Sequence, residues 1–236
     1  MERNGEEKSG GEKQMKHIVI DLEMNSVAKE YKEERVICGM EVIEIGAVLL
    51  DEKYQEIGSF KTLVKPQFNN RIEPYYQKLT GISTAMVSNA PVFEDALKMF
   101  FSWCDSIKDQ ICIYQWSKTD MDQILCEIKL KNLILDDQSK KFLVEWEDFQ
   151  AEFSEKLNLS NAISLKNAVM YAGVDFEGMQ HDALDDARNT ATLLKIVRTP
   201  SLRKGTLDHV IEALTPKSVS TTLGSMFDFT KLGFTA

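Results

Sequence analysis

No apolar run in this chain approaches the roughly eighteen residues a membrane helix requires, so no membrane association is expected. The N-terminal stretch Met1–Lys16 is rich in Glu, Lys and Gly and has no apolar core, which excludes a secretory signal. Residues 1–15 are expected to form a disordered leader outside the fold. Cysteine is scarce. The four present, Cys38, Cys104, Cys112 and Cys126, show no CxxC spacing and no histidine at zinc-finger distance. A disulfide framework is thereby excluded, and reduced thiols in a cytoplasmic protein are expected. Positive charge is in deficit, with a net charge of −9. That argues against a broad basic surface gripping duplex nucleic acid. It leaves room for a small cleft taking one strand end, where a bound metal would invert the local sign. Internal repeats are absent, as are low-complexity tracts beyond the leader.

What is present suits a soluble globular chain: 236 residues, 43% hydrophobic and 28% charged, enough for one large domain with a short appendage. The organising stretch is Ile18–Asn25. Ile18-Val19-Ile20 reads as a strand buried on both faces, and the run stops at Asp21 with Glu23 two positions on. Alternate strand residues share a face, so both carboxylates point the same way from a rigid element. Two anions so placed are costly unless a cation or proton joins them, and hard cations favour such oxygen donors. A strand running into a solvated acidic turn would show the same three letters.

Along the chain, Ser26–Arg35 reads as a polar loop. Val42–Leu50 and Ile57–Lys65 read as further strands of an antiparallel meander, the latter stopped by Pro66. A short helix is expected near Pro74–Lys78 and a longer one over Val92–Trp103, followed by a buried strand at Ile111–Tyr114. The next helix carries Met121, Ile124, Leu125 and Ile128 on one stripe, with Thr119 as candidate N-cap and Asp120 in the first turn. Phe142–Trp146 reads as a short strand. Helices follow at Glu147–Leu157 and Leu165–Ala172, with Gly173 placed to end the second. The fold class expected is α/β: a mixed sheet, with an antiparallel meander and parallel strands, and helices packed on it.

A second acidic cluster opens a late helix. Asp182 can cap it, with Asp185 at the third helical position in a capping-box-like arrangement. His181 falls just before, and Asp186 lies in the early turns, where the helix dipole favours anions. Leu184, Ala187, Ala191 and Leu194 form the buried stripe. The small Ala183, Ala187 and Ala191 allow a close approach to a sheet.

Asp21-x-Glu23, Trp116-x-x-x-Asp120 and His181-x-Ala183-x-x-Asp186, in that order, resemble the three signature segments of the DEDDh 3′→5′ exonuclease superfamily. The resemblance covers about residues 16–198. Within the superfamily the chain is similar to the KapD-like and Eri1-type branch, through Asp21–Asn25, Val64-Lys65-Pro66 and Leu79-Thr80-Gly81-Ile82. It implies a ribonuclease-H-like fold for residues 16–198; outside it, 199–236 reads as a tail holding a short helix at Leu207–Leu214. It further implies two divalent cations, Mg²⁺ or Mn²⁺, held by Asp21, Glu23, Asp120 and Asp186, with His181 as general base. The choice of Asp186 over Asp185 rests on the family's spacing.

The implied reaction releases nucleoside 5′-monophosphates from the 3′ end of single-stranded RNA or DNA. Met24, where many DNA-directed relatives carry Thr, leans toward RNA. Met24 and Asn25 are expected to contact the terminal nucleotide. Leu79, Thr80 and Ile82 either wedge against terminal bases or form a packed loop, and Trp116 is expected in the core. In the tail, Ser220–Phe227 weakly resembles a sliding-clamp peptide, although a tail folded back on the domain is preferred. Two alternatives are a catalytically silent nucleic-acid-binding or regulatory module and a proofreading exonuclease of a DNA polymerase. Retention of all four acids and the histidine speaks against the first. No partner motif supports the second.

Overall fold

The structure, a computed structural model, describes residues 14–214 with the exception of Glu145. Ile18, Val19 and Ile20 have no exposed surface, so β1 (Met15–Ser26) is covered on both faces, as its apolar run requires. It pairs antiparallel with β2 (Met40–Leu50), which pairs antiparallel with β3 (Glu56–Leu63). On its other side β1 runs parallel to β4 (Gln110–Gln115), which pairs briefly with β5 (Glu147–Asp148). The sheet order is β3-β2-β1-β4-β5, the mixed α/β sheet of the ribonuclease-H-like fold.

Side-chain alternation along β1 divides the core in two. Ile18, Ile20 and Leu22 point to one face, joined by Val42, Ile45 and Ala47 of β2. Three short helices, α1 (Lys32–Ile37), α2 (Pro74–Thr80) and α3 (Thr84–Val87), precede α4 (Phe93–Ser106) and α5 (Thr119–Leu130). The last two cover this first face with Phe93, Leu97, Phe100 and Ile124. After the one-turn α6 (Asp137–Lys140), the chain crosses to the face of Val19. There α7 (Phe149–Lys156), α8 (Leu165–Tyr171) and α9 (Ala183–Arg198) pack Phe149, Phe153, Val169, Ala187 and Leu194 against the sheet. The chain continues through α10 (Pro200–Thr206) and α11 (Asp208–Leu214). Leu207, between them, is buried in the same cluster, with Val210 and Ile211 packed on it, so this part of the tail folds back on the domain. Most of the leader and the clamp-like Ser220–Phe227 lie outside the described residues. Among the described residues no helix is long and apolar enough to cross a membrane, and all four cysteines are free thiols.

Three expectations are corrected. Phe142–Trp146 is not a strand: Lys141–Leu143 is a 3-10 turn, and β5 comprises only Glu147–Asp148. The Trp146 indole N–H donates to the Phe142 carbonyl at 2.7 Å, which fixes the segment after that turn. Phe142 enters the core from the 3-10 turn, stacked on Phe101, and Trp146 enters the same core just before β5. The polar loop Ser26–Arg35 runs into α1, which buries no side chain and so leaves no apolar stripe to read. Thr119 is the first residue of α5, with Lys118 in the cap position and no side-chain cap.

Helix α9 docks unusually close to β2. A Cβ placed on Gly46 would lie 2.2 Å from the Leu184 nitrogen and 2.3 Å from the Ala183 carbonyl carbon. Backbone cannot yield as a flexible side chain does, so only glycine permits the contact. The small stripe Ala183, Ala187 and Ala191 meets it from the helix side, as the sequence pattern anticipates. Gly46→Ala is therefore expected to destabilise the fold by about 1–3 kcal/mol, read as a lower urea midpoint. An unchanged midpoint would show that the helix rides freely over the strand.

Candidate active site

Asp21 and Glu23 continue the face of Val19, the side on which α9 packs. Asp21 is half-buried and Glu23 only 6% exposed. The β1–β2 register shifts directly after Glu23, because Ile43 of β2 has no partner opposite. Such a bulge re-aims side chains beside it. Ile43 drops into a small cluster with Ile72, Ile82 and Val87, and β1 leads from the acids toward Met24 and Asn25.

Asp120 reaches the same place from β4. That strand ends at Gln115, and Asp120 follows in the first turn of α5. Its side chain is buried, and its Oδ1 accepts the Leu22 N–H at 3.1 Å, fixing it between Asp21 and Glu23 along the strand. Carboxylates thus gather at the carboxyl ends of two adjacent parallel strands, where open α/β sheets form their crevices.

The start of α9 supplies the rest. Asp182 caps the helix, its Oδ1 accepting the Leu184 and Asp185 N–H groups. Asp185 does not close a reciprocal box but turns back to accept the Met179 N–H at 2.9 Å. Asp186 is directed toward β1. Its Oδ2 accepts the His181 backbone N–H at 3.2 Å, while its Oδ1 is buried without a hydrogen-bond partner. His181 has a left-handed backbone, φ +65°, a conformation uncommon outside glycine and found mainly where function or a turn requires it. Donor atoms of Glu23, His181 and Asp186 lie within 4.8 Å of one another, and His181 Nδ1 is 3.9 Å from Glu23 Oε1. The four carboxylates and His181 line one cleft of about 390 Å³.

The electrostatics are those of crowded anions without a counter-charge. Burial first, then the charges of Asp120, Asp186 and Glu23, push Asp21 well above the usual carboxylate range. Glu23 rises to about 8 through burial and the neighbouring Asp186 and Glu44. Burial also raises Asp120 and Asp186. Among the described residues no lysine or arginine pairs with these four. The nearby cations are engaged elsewhere, Lys61 with Glu44 and Asp182, and Arg188 with Glu56 and Asp185. Desolvation lowers His181, favouring neutral imidazole at neutral pH.

The expected substrate contacts divide. Met24 and Leu79 line the cleft. Asn25 does not: it is fully buried, its amide donating to the Arg71 carbonyl and its oxygen accepting the Glu73 N–H, both at 3.0 Å. Thr80 and Ile82 are likewise buried. The Thr80 hydroxyl links the Tyr76 carbonyl to the Ile82 N–H, and the Ile82 side chain packs in the Ile43 cluster. These three shape the cleft wall without facing it. Trp116 is 7% exposed and packs on Phe149 and Phe153 while lining the cleft with one edge. Tyr76, Gln150 and Leu165 also line it, unannounced by any local pattern because separate helices deliver them. Glu44 was equally missed, although an acid inside the apolar run Val42–Leu50 was a usable signal.

A ribonuclease-H-like sheet with an acidic cleft at its strand ends is a nuclease architecture, and comparison with known proteins narrows the class. The chain belongs to the RNase T exonuclease family, whose pattern matches residues 18–194. It is 29% identical to ERI1 exoribonuclease 2 of Mus musculus, over 88% of this chain and 32% of that protein. To 3'-5' exoribonuclease 1 of Rattus norvegicus it is 28% identical, over 65% of this chain and 45% of that one. The chain thus spans about a third of the length of the first of these relatives. Among solved structures, the nuclease domain of 3'hExo, a DEDDh family member bound to rAMP, superposes with a TM-score of 0.66 at 23% identity. That match covers 82% of this chain and 94% of the other.

A measurable consequence follows from the buried carboxylates. In the metal-free protein a raised pKa means the folded state holds its proton while the unfolded chain has lost it, so stability falls as pH rises. For Glu23 the window runs from the ordinary glutamate value of 4.5 to about 8. In EDTA, thermal denaturation is expected to show Tm falling across that window, and Mn²⁺ should raise Tm more at pH 8 than at pH 5. A flat profile, or no response to Mn²⁺, would contradict the crowding.

Proposed function

We propose that this chain is a metal-dependent 3′→5′ exonuclease acting on single-stranded RNA and releasing nucleoside 5′-monophosphates. The observation that carries the reading is the convergence of Asp21, Glu23, Asp120 and Asp186 on one cleft with no cation among them. The donor set fits two divalent ions: four hard oxygen ligands and, on Asp186, a buried Oδ1 with nothing to accept from. Bound there, Mg²⁺ or Mn²⁺ would supply charge stabilisation to both the attacking and the leaving oxygen of an in-line displacement.

The chain's own groups carry the remaining work. His181, whose ring lies beside Glu23 with Nδ1 3.9 Å from Oε1, would take a proton from the attacking water on a ring nitrogen. Its lowered pKa keeps that nitrogen free at neutral pH. The half-exposed ring, over a backbone held by Asp186, can reach water at the mouth of the cleft. Met24 and Leu79 offer apolar surface to the terminal nucleotide. The resemblance of the relatives named above, exoribonucleases by name, supports RNA over DNA.

Single-stranded RNA and DNA, labelled at either end and incubated with Mn²⁺ or with EDTA, test the reading. Metal-dependent shortening from the 3′ end, faster on RNA, is expected. Binding without degradation would select a silent module, and preference for mismatched DNA ends a proofreading role. Asp21→Ala, Asp186→Asn and His181→Ala should each lower turnover by orders of magnitude while the fold, read by circular dichroism, persists. Near-normal turnover in any of them removes that residue from the mechanism.

A further inference from the structure

His181 and Asp186 flank the first turn of α9, so the cleft exists only if that turn is held at one height over β1. The first four N–H groups of a helix lack intrahelical partners, and here every one is accounted for. The Asp182 N–H donates to the Met179 carbonyl. Those of Leu184 and Asp185 donate to Asp182 Oδ1. The Ala183 N–H reaches off the helix to Glu44 Oε2 on β2, at 3.0 Å. Glu44 is 3% exposed and stands directly across the β1–β2 ladder from Glu23. Burying an acid beside another acid is costly, and the offset comes from β3: Lys61 Nζ lies 3.3 Å from Glu44 Oε1 and also contacts the Asp182 carboxylate. Two carboxylates from different elements, bridged by one lysine, thus grip three consecutive N–H groups of the turn. Gly46, two residues along β2 and paired with Asp21, is the point of backbone contact with the same turn.

We infer that Glu44 and Lys61 are positioning residues, which with Asp182 clamp the first turn of α9 to the sheet and set His181 and Asp186 against Asp21 and Glu23. A helix needs no carboxylate from another strand for capping, since Asp182 already caps it. What Glu44 adds is a fixed distance between α9 and the strand opposite the catalytic acids.

The test uses the full chain with Glu44→Ala, Glu44→Gln, Lys61→Met and the Gln/Met double variant. The first readout, hydrogen exchange in EDTA, needs no activity and stands even if the nuclease reading fails. Glu44→Ala is expected to speed exchange at Ala183–Asp186 at least tenfold while the amides of β1 and β4 stay protected. Glu44→Gln, which keeps an acceptor for the Ala183 N–H, should retain most of that protection. The second readout rests on the proposed activity: kcat on an RNA oligomer should fall about 10–100-fold in Glu44→Ala, the usual cost of loosening a group that orients metal ligands, with KM within twofold. Lys61→Met should be damaging beside Glu44 and much less so beside Gln, because a neutral partner no longer needs the cation. Wild-type protection of the turn in Glu44→Ala and Lys61→Met overturns the inference. So does exchange that accelerates uniformly through the molecule, which marks Glu44 as a general stability element. Equal loss in Glu44→Gln and Glu44→Ala would show that charge, not the Ala183 hydrogen bond, is what matters, and also overturns it.

Discussion

Repulsion among carboxylates crowded into one largely buried cleft is the constraint on which this structure depends. Asp21, Glu23, Asp120 and Asp186 line one cleft, and burial together with neighbouring negative charge pushes all four pKa values up. Left to relax, they would separate or rotate toward solvent. They stay because each is fastened to something rigid. Asp21 and Glu23 extend a strand with Ile18, Val19 and Ile20 fully buried behind them. Asp120 is tied to the Leu22 N–H, and Asp186 to that of His181. The two-faced core thus holds crowded acids whose repulsion the divalent cations of the proposed function would relieve.

The same constraint explains the contrast between the two ends of β1. At its start, His17 is buried against Tyr54 and Tyr114, an aromatic packing arrangement that serves the core. At its other end, polar groups take over and the strand is bulged against β2. Helices on both faces protect the apolar half, and the acidic half opens between α5 and α9. Packing and chemistry are thereby separated along one strand, and substitutions near Ile18 and near Asp21 act on different properties.

Much of this could be read in the sequence, for an identifiable reason. Asp21-x-Glu23 and His181-x-Ala183-x-x-Asp186 are local patterns: period two places the first pair on one strand face, helix-start rules place the second near a helix N-terminus, and the family's spacing selects Asp186 over Asp185. The meander, the strand at Ile111–Tyr114 and the helices over 93–106 and 165–171 followed from periodicity in the same way. What escaped was whatever depends on register or on distant elements. Asn25 follows the acids in sequence, yet its amide is spent on residues 71–73, a contact no spacing rule foresees. Thr80 and Ile82 turn inward because the unpaired Ile43 opens a small core beneath them. Phe142–Trp146 reads as a strand because large apolar residues in a short run suit a strand as well as a turn, and only the 3-10 turn at Lys141–Leu143 decides between them.

His181 shows how local strain and long-range order combine. A left-handed backbone at a non-glycine residue persists only when its surroundings hold it, and here the Asp186 carboxylate does so through the His181 N–H. The proposed proton acceptor and the proposed metal ligand are therefore mechanically one unit, since moving α9 moves both. That unit meets the sheet through backbone, at Gly46, and through one buried carboxylate, at Glu44. The first is backbone on backbone, and the second is a buried side chain held in place by Lys61. A proton acceptor must lie within hydrogen-bond reach of its water while the acids remain within coordination reach of one another. A stiff joint between α9 and β2 satisfies both requirements at once, whereas a helix packed through long, mobile side chains would satisfy them only part of the time.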